Sequence, residues 1–248
     1  MIVKKDWDPR RKLLICDTAQ ELVAYSATHF AKTVKEAISQ RGASFVALSG
    51  GSTPKAIFQE LTSKPYLTDA DWGKLHLFWS DERSVPPTDP ESNYHMAMEA
   101  GLEKVPIPPS QIHRMEAEVS IESNALEYEK QIQETLHNTP FDLMMLGMGE
   151  DGHTASLFPH TTALHESNRL VVANYVPAKQ TWRMTMTLPC IHLAQNIVIY
   201  ALGQGKKEAF AKAFLTTPPL EEIPIAHVGT LNHPALWIVD QALAEVLS

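Results

Sequence analysis

The chain has 248 residues, a length that accommodates one large domain or two small ones. Apolar residues make up 44% and charged residues 20%, as in an ordinary globular protein, so disordered and collagen-like chains are excluded. The 29 acidic residues outnumber the 21 Lys and Arg, and the net charge of −8 disfavours nucleic acid and anionic membranes as partners. A small anion can still be bound, because such a site needs only two or three cations.

Cysteine usage and the amino-terminal residues favour the cytoplasm. Cys16 and Cys190 lie far apart, without the closely spaced framework of a disulfide-stapled secreted domain. The amino-terminal residues contain no apolar stretch of signal-peptide length, and the longest run of apolar residues and glycines, 143–149, is far short of the ~18 residues that span a bilayer. We expect a soluble cytoplasmic protein and, since no linker or repeat divides the chain, a single domain over 1–248.

Apolar spacing predicts alternating helices and strands. From 18 to about 40, apolar residues recur every three or four positions, which predicts an amphipathic helix that ends at Gly42. A short apolar strand at 45–48 is followed by a glycine turn and a second helix. The remaining predicted strands cover 75–79, 141–148, 170–173, 197–202 and 236–239, and the remaining predicted helices cover 93–102, 121–136 and 206–215.

Most of these strands are apolar throughout and are separated by helices. This pattern predicts a mostly parallel sheet with helices on both faces, that is, a doubly wound α/β fold. In such sheets ligands bind beyond the carboxyl ends of the strands, near the point where the strand order reverses. The functional residues are therefore expected in the turns that follow strands.

The first such turn has the sequence Ser-Gly-Gly-Ser-Thr-Pro at 49–54. We expect Thr53 to cap the following helix and Pro54 to occupy its first position. Glycines let the backbone approach an anion closely, and the free amides at a helix start point toward it, which predicts a phosphate site at Gly50, Gly51, Ser52 and Thr53. The spacing fits neither a dinucleotide fingerprint nor a P-loop, and an ordinary capped turn is the alternative.

The second turn places three charged residues, Asp81, Glu82 and Arg83, after the strand at 75–79. Such charges commonly face solvent. In the functional interpretation, the guanidinium of Arg83 binds a phosphate or carboxylate through two parallel hydrogen bonds. Asp81 or Glu82 then either hydrogen-bonds sugar hydroxyls or holds the arginine in position.

The third turn, at 146–159, has three glycines in six residues and includes Asp151 and His153. A histidine can take a proton from water near neutral pH, and a nearby carboxylate fixes its tautomer, so His153 is the predicted general base and Asp151 its partner. A helical turn at 154–158 would place its positive end near His153 and favour the free base. With no metal-ligand spacing and no nucleophile elbow in the sequence, neither a metal nor a covalent intermediate is expected, and water is the predicted nucleophile.

Two later segments add cations. Lys179 and Arg183 lie in one of them, and Lys206 and Lys207 follow a Gly-Gln-Gly turn in the other. Surface lysines and arginines are usually solvated, but the position of Lys206 at a strand-to-helix junction favours a role in binding.

Together these segments resemble the 6-phosphogluconolactonase family. The matching blocks are Ser-Gly-Gly-Ser-Thr-Pro at 49–54, Ser-Asp-Glu-Arg-x-Val-Pro at 80–86, Ser-Asn-Tyr at 92–94, Leu-Gly-Met-Gly-x-Asp-Gly-His-Thr-Ala-Ser-Leu-Phe-Pro at 146–159, Arg-x-Thr at 183–185 and Gly-x-x-Lys at 203–206. Glucosamine-6-phosphate deaminase, a looser relative, typically has Asp-Glu-Tyr where this chain has Asp-Glu-Arg at 81–83, so the arginine favours the lactonase. The residues 179–182 depart from the usual Lys-Pro stretch of the family, so the ligand contact is assigned to Arg183, and whether Lys179 also contacts the substrate stays open.

The resemblance implies a Rossmann-like sheet of the sugar-phosphate isomerase/deaminase type, a sugar-phosphate lactone as substrate, no cofactor, and a place in the oxidative pentose phosphate pathway. It implies that His153, oriented by Asp151, activates the water that attacks the lactone. The 6-phosphate would lie against the turn at 50–53, and amides near Gly51 or Gly152 would stabilise the oxyanion. The phosphate and substrate ligands would be Gly50, Gly51, Ser52, Thr53, Asp81, Arg83, Gly152, Arg183 and Lys206.

Two other functions stay open from the sequence. An aldose–ketose isomerase/deaminase would need a second acid–base group, for which Asp81 is available. A non-catalytic sugar-phosphate sensor would usually need an output module, and the sequence contains no helix-turn-helix or basic extension. The sequence predicts no oligomeric state.

Overall fold

The computed structural model describes residues 2–247, which form a seven-stranded sheet, a small three-stranded sheet and surrounding helices. The strands are β1 (Val3–Asp8), β2 (Arg11–Cys16), β3 (Ser44–Leu48), β4 (Leu75–Trp79), β5 (Asp81–Arg83), β6 (Leu143–Gly147), β7 (Val171–Val176), β8 (Thr181–Met186), β9 (Ile197–Ala201) and β10 (Ala235–Asp240). The α-helices are α1 (Ala19–Arg41), α2 (Ser52–Ser63), α3 (Asp69–Trp72), α4 (Asn93–Glu99), α5 (Ile121–Leu136), α6 (Leu188–His192), α7 (Lys207–Leu215) and α8 (Gln241–Ala244).

The large sheet has the order β1-β2-β10-β9-β6-β3-β4. All its neighbouring strands are parallel except β1, which pairs antiparallel with β2 at the edge. The predicted doubly wound, mostly parallel α/β fold is therefore confirmed. From β3 the chain adds β4 on one side and later β6, β9 and β10 on the other, so the strand order reverses between β3 and β6. The loops that follow these two strands are the glycine turns at 49–54 and 146–159, and they border the same crevice.

A second, antiparallel sheet with the order β5-β8-β7 was not predicted. Its strand β5 consists of three charged residues, which carry none of the apolar alternation that indicates a strand. Pairing with β8 places Asp81 opposite Thr185 and Arg83 opposite Arg183. The segment predicted as a charged turn is therefore held in an extended, hydrogen-bonded conformation.

Several predicted boundaries shift by a few residues. Helix α1 begins after the N-cap Thr18 and ends at Gly42, whose φ of 80° lies in the left-handed region, as the pattern predicted. The helix predicted at 93–102 ends at Glu99, and a short 3-10 segment follows Gly101. The buried apolar side chains form one contiguous cluster that includes Trp79, Tyr200 and Trp237. Among residues 2–247, no helix has the length and apolar character required to cross a membrane.

Tyr128 on α5 joins the end of β4 to the irregular segment that contains His113. Its buried hydroxyl accepts a hydrogen bond from the Trp79 amide at 2.9 Å and donates to the His113 carbonyl at 3.0 Å. This interaction fixes the end of β4 just before the chain enters β5. Burial raises the pKa of the Tyr128 phenol far above its usual value, so the hydroxyl stays protonated.

We predict that Tyr128→Phe lowers the free energy of unfolding by about 1–3 kcal/mol, because it leaves a buried amide and a buried carbonyl without a partner. Urea denaturation measures the change. The matched control is Tyr175→Phe, in which the altered side chain is 43% exposed and the stability should hardly change. Equal losses in the two variants would contradict the role assigned to the Tyr128 hydroxyl.

Candidate active site

The two glycine loops, β5, β8 and the segment before α7 enclose a cleft of about 200 Å³. Residues from distant parts of the chain therefore meet at the carboxyl edge of the large sheet. Of the residues predicted from the sequence, Gly50, Gly51, Ser52, Thr53, Asp81, Arg83, His153, Arg183 and Lys206 line this cleft. Neither Asp151 nor Gly152 lines it directly.

The first wall of the cleft is the start of α2. The prediction that Thr53 caps this helix was wrong: the helix begins at Ser52, and Gly51 is the N-cap, with a φ of 103° that favours glycine. The early turn puts Thr53 and Pro54 inside the first helical turn. Because the first amides of a helix have no intrahelical acceptor, those of Ser52 and Thr53 are free to bind an anion at the positive end of the helix dipole.

The second wall carries the predicted acid–base pair. His153 Nδ1 lies 2.5 Å from Asp151 Oδ1, and the same oxygen accepts the backbone amide of His153 at 3.1 Å. The bond to Asp151 fixes the proton on Nδ1, so Nε2 of a neutral His153 carries the free lone pair. Burial acts to raise the pKa of Asp151, but the hydrogen bond and the charge of His153 hold it below the usual 3.8. The carboxylate therefore stays ionised at neutral pH and can stabilise an imidazolium.

The glycine at position 149 makes room for this pair. A Cβ built there would lie 2.1 Å from His153 Nδ1 and 2.7 Å from Asp151 Oδ1, so any side chain would displace both groups. On its other side the His153 ring stacks on Phe158, with ring centroids 3.9 Å apart and an interplanar angle of 17°. The imidazole is held between the loop and an aromatic ring.

The predicted helical turn at 154–158 does not form. Thr154 and Leu157 instead form an antiparallel bridge, and Ala155 has a φ of 47°, outside the right-handed helical region. Two hydrogen bonds favour this tighter turn: the Thr154 hydroxyl donates to the Gly147 carbonyl, and the Ser156 amide donates to the Thr185 hydroxyl. No helix dipole therefore acts on His153 from this segment.

Gly152, predicted to contact the substrate, uses both of its backbone polar groups within the protein. Its amide donates to the Gly149 carbonyl at 3.1 Å, and its own carbonyl accepts from the Ile225 amide at 3.0 Å. The contact with the substrate stays a prediction. Gly152 contributes through its φ of 82°, which lets the chain turn toward His153.

The third wall places two arginines side by side. Arg83 on β5 and Arg183 on β8 are cross-strand partners, an arrangement that is unfavourable for like charges. Burial and the neighbouring charge of Arg83 lower the pKa of the Arg183 guanidinium. Within residues 2–247, the buried Nε of each arginine has no hydrogen-bond partner. Two adjacent cations with unused hydrogen-bond donors are suited to bind an anion.

Lys206 supplies a third cation from the opposite side. Burial lowers the pKa of its amine, while the carboxylates of Glu150 and Asp240 act in the other direction. Glu150 lies against this segment, since a Cβ at Gly205 would be 2.3 Å from its carboxylate oxygen. The neighbouring Lys207 pairs with Glu245 at 3.2 Å, outside the cleft lining.

The two acidic residues of β5 differ in their surroundings. Asp81 lines the cleft and accepts hydrogen bonds from the Ser156 hydroxyl at 2.6 Å and the Asn93 side-chain amide at 3.2 Å. Glu82 points to the start of α4, where it accepts from the Ser92 hydroxyl and from the amides of Asn93 and Tyr94. Burial raises the pKa of Glu82, against the effect of these hydrogen bonds. Glu82 is a structural acceptor, and of the two carboxylates only Asp81 can reach a ligand.

The buried residues Asn93 and Tyr200 line the cleft and were not among the predicted site residues. Tyr200 lies in the apolar run of β9, where it looks like an ordinary core residue. Asn93 belongs to the matching block Ser-Asn-Tyr at 92–94, but no local pattern indicates that it faces the turn at 49–54. Among residues 2–247, no group of three or more His, Cys, Asp or Glu side chains is placed to hold a metal ion.

We predict that Arg183→Met raises the free energy of unfolding by about 0.5 kcal/mol in phosphate-free buffer, because it removes the like-charge pair. The same variant should lose most of the stabilisation that inorganic phosphate gives the unmodified chain. Urea denaturation with and without phosphate measures both effects.

The control for this prediction is Arg169→Met, which breaks a 2.7 Å ion pair with Glu129 and should lower the stability. The anion site would be contradicted if both variants lost stability equally and both kept the response to phosphate.

Comparison with known proteins agrees with this geometry. The family model described as glucosamine-6-phosphate isomerases/6-phosphogluconolactonase matches residues 17–237. The chain is 40% identical over 236 residues to the 6-phosphogluconolactonase of Chlamydia pneumoniae, covering 94% of this chain and 90% of the relative.

Among solved structures, the chain is similar to 6-phosphogluconolactonase from Trypanosoma cruzi, with a TM-score of 0.84, 27% identity and 99% of both chains covered. A monomeric glucosamine-6-phosphate deaminase shares the fold, with a TM-score of 0.78, 21% identity, and coverage of 94% of this chain and 99% of that one. The chain belongs to the glucosamine-6-phosphate isomerase/6-phosphogluconolactonase family.

Proposed function

We propose that this protein hydrolyses 6-phospho-D-glucono-1,5-lactone to 6-phospho-D-gluconate, the second step of the oxidative pentose phosphate pathway. The observation that carries the proposal is the placement of the Asp151–His153 pair across one cleft from a helix start and two adjacent arginines. Hydrolysis of a phosphorylated lactone requires a base that activates water and a site that binds the phosphate. The names of the relatives that are 38–41% identical over more than nine-tenths of the chain support this substrate.

In the proposed reaction, Nε2 of His153 takes a proton from a water molecule as its oxygen attacks C1 of the lactone. The resulting oxyanion collapses, the bond between C1 and the ring oxygen breaks, and the ring oxygen receives the proton that His153 took from water, which restores the neutral base. The product is the open-chain carboxylic acid, which ionises at neutral pH. Asp151 keeps the imidazole in the reactive tautomer and stabilises its protonated form.

The phosphate group is proposed to lie between the start of α2 and the two arginines. The amides of Ser52 and Thr53 supply fixed donors, and the guanidinium groups of Arg83 and Arg183 supply charge-assisted hydrogen bonds. The phosphate would offset the repulsion between the arginines, so binding is strongest when both are present. Lys206 adds a third positive charge to the lining of the cleft.

We propose that the oxyanion is not stabilised by the amides of Gly149, Gly152 and His153. All three donate to acceptors within their own loop. The cleft also presents the amide of Gly51, the α2 amides, the two arginines and Lys206, and we propose that donors from this set stabilise the oxyanion. The single-domain organisation and the cytoplasmic location stay predictions from the sequence.

We predict that the purified protein accelerates acid release from the lactone, generated from glucose 6-phosphate, above the spontaneous rate. A pH-stat follows the acid, and glucosamine 6-phosphate is tested in parallel for ammonia release. Ammonia release without lactone hydrolysis would favour the deaminase activity of the family, and binding of 6-phosphogluconate without either activity would favour a sensor.

We predict that His153→Ala lowers kcat about 10²–10⁴-fold, because general base catalysis typically contributes this much. Asp151→Asn should lower kcat less and leave KM within about twofold, because the base remains but its orientation and charge partner are lost. Arg83→Ala should chiefly raise KM. A fully active His153→Ala variant would contradict the assignment of the base.

The pH dependence of kcat/KM distinguishes the role of Asp151 from that of His153. The folded-state pKa of Asp151 is below its usual 3.8, so its carboxylate is ionised above that pH and loses its charge only as the pH falls further. A rise of kcat/KM with pH near neutrality therefore does not come from Asp151; it comes from another group of the protein or from the phosphate of the substrate, whose second pKa is about 6. Comparing the profile with that of the residual activity of His153→Ala isolates the contribution of the base, and an identical rise in that variant would count against His153 as the base.

A further inference from the structure

We infer that Asn93 is a positioning residue that sets the spacing between the phosphate loop (residues 50–53) and strand β5, which carries Arg83. The inference rests on the proposed function of the cleft as an anion site. Asn93 is the first residue of α4, is 1% exposed and lies between the two structures that are proposed to hold the phosphate.

Asn93 is attached to β5 at several points. Its side-chain Nδ2 donates to the backbone carbonyl of Asp81 at 2.9 Å and to the Asp81 carboxylate at 3.2 Å. Its backbone amide donates to Glu82 Oε1 at 2.8 Å. Because Nδ2 faces Asp81, the orientation of the amide is fixed, and Oδ1 must point the other way.

On that other side, Oδ1 lies against Gly50. A Cβ built on Gly50 would be 1.9 Å from Asn93 Oδ1 and 2.4 Å from Asn93 Cγ. The Gly50 backbone is outside the left-handed region, so the glycine is required here by space. Gly51 differs, because its φ of 103° requires glycine while a Cβ there would meet only Pro54, at 4.0 Å. The Asn93 amide therefore acts as a spacer between the backbone of the phosphate loop and β5.

The spacer has a polar end without a polar partner. Within residues 2–247, the buried Oδ1 of Asn93 accepts no hydrogen bond, an arrangement that costs stability. An uncharged acceptor at this point keeps the loop backbone at a fixed distance from the arginine strand. Anion binding depends on that distance, because donors from both sides must reach the same oxygen atoms.

The test is a double-mutant cycle on positions 50 and 93, read by calorimetric binding of 6-phosphogluconate and by KM and kcat for the lactone. Asn93→Ala should weaken binding and raise KM about fivefold or more, with kcat reduced less. Gly50→Ala should weaken binding about tenfold or more, because its methyl group displaces the loop. The Gly50→Ala/Asn93→Ala double variant should bind about as weakly as Asn93→Ala alone and far less weakly than the product of the two single losses, since the amide that obstructs the methyl group is gone.

Matched variants separate spacing from a general structural effect. Asn93→Asp keeps the oxygen beside Gly50, so it should not rescue Gly50→Ala. Asn93→Ala should not rescue Gly51→Ala, where backbone conformation is the obstacle. Ser92→Ala removes hydrogen bonds to Glu82 and His95 at the same helix start, so it should lower the melting temperature and leave KM unchanged. If Asn93→Ala does not fold, Asn93→Ser replaces it in the cycle, because the shorter side chain also clears Gly50.

The inference is overturned if the effects at 50 and 93 are additive, or if Asn93→Ala changes melting temperature alone, as Ser92→Ala should. Its failure is distinguishable from failure of the proposed function. A chain that binds 6-phosphogluconate without hydrolysing the lactone would refute the proposed function, while the binding cycle would still decide the role of Asn93. If 6-phosphogluconate does not bind, the same cycle is read with inorganic phosphate by thermal stabilisation.

Discussion

The arrangement of the site depends on the hydrogen bonds that the carboxylate of Asp81 accepts. Buried at the start of β5, it accepts hydrogen bonds from Ser156 in the loop after β6 and from Asn93 at the start of α4. The segment that carries His153 and the segment that carries Arg83 are thereby fixed to one another. A buried carboxylate whose hydrogen bonds are satisfied is rigid, because breaking one of them would leave an oxygen without a partner in a low-dielectric environment.

Around this fixed point the cleft collects positive charge in a protein that is acidic overall. The net charge of −8 disfavours polyanions, yet Arg83, Arg183 and Lys206 come from three distant segments to the same cleft. Their mutual repulsion and the burial of Arg183 oppose folding, and a bound phosphate would relieve both. On the proposed function, the site loses some stability in the empty protein and gains affinity for a small anion.

The sequence predicted five of the seven strands of the large sheet, because these five are short apolar runs separated by helices. It missed β1 and β2: β1 is mostly charged and exposed, and β2 begins with Arg-Lys. Prediction failed where short segments depend on distant partners. Thr53 looked like a cap, but the helix is capped two residues earlier, at Gly51. The segment at 154–158 looked helical, but the Thr154 hydroxyl bonds to Gly147 and the Ser156 amide bonds to Thr185 instead. The predicted contact of Gly152 with the substrate stays a prediction, and the amide of this residue donates within the loop. Strand β5 was missed because three charged residues carry no periodic signal.

By itself the sequence determined the doubly wound α/β class, the two glycine turns and the pairing of Asp151 with His153, because all of these depend on residues close together in the chain. Tertiary structure alone decided that Arg83 faces Arg183, that Asn93 lies against Gly50, and that Asp81 accepts from Ser156. These contacts join residues tens of positions apart, and they arise from strand pairing and from the reversal of strand order between β3 and β6. Local propensity and spacing carry no information about such pairings, since they are fixed by how the buried surfaces of whole elements pack together.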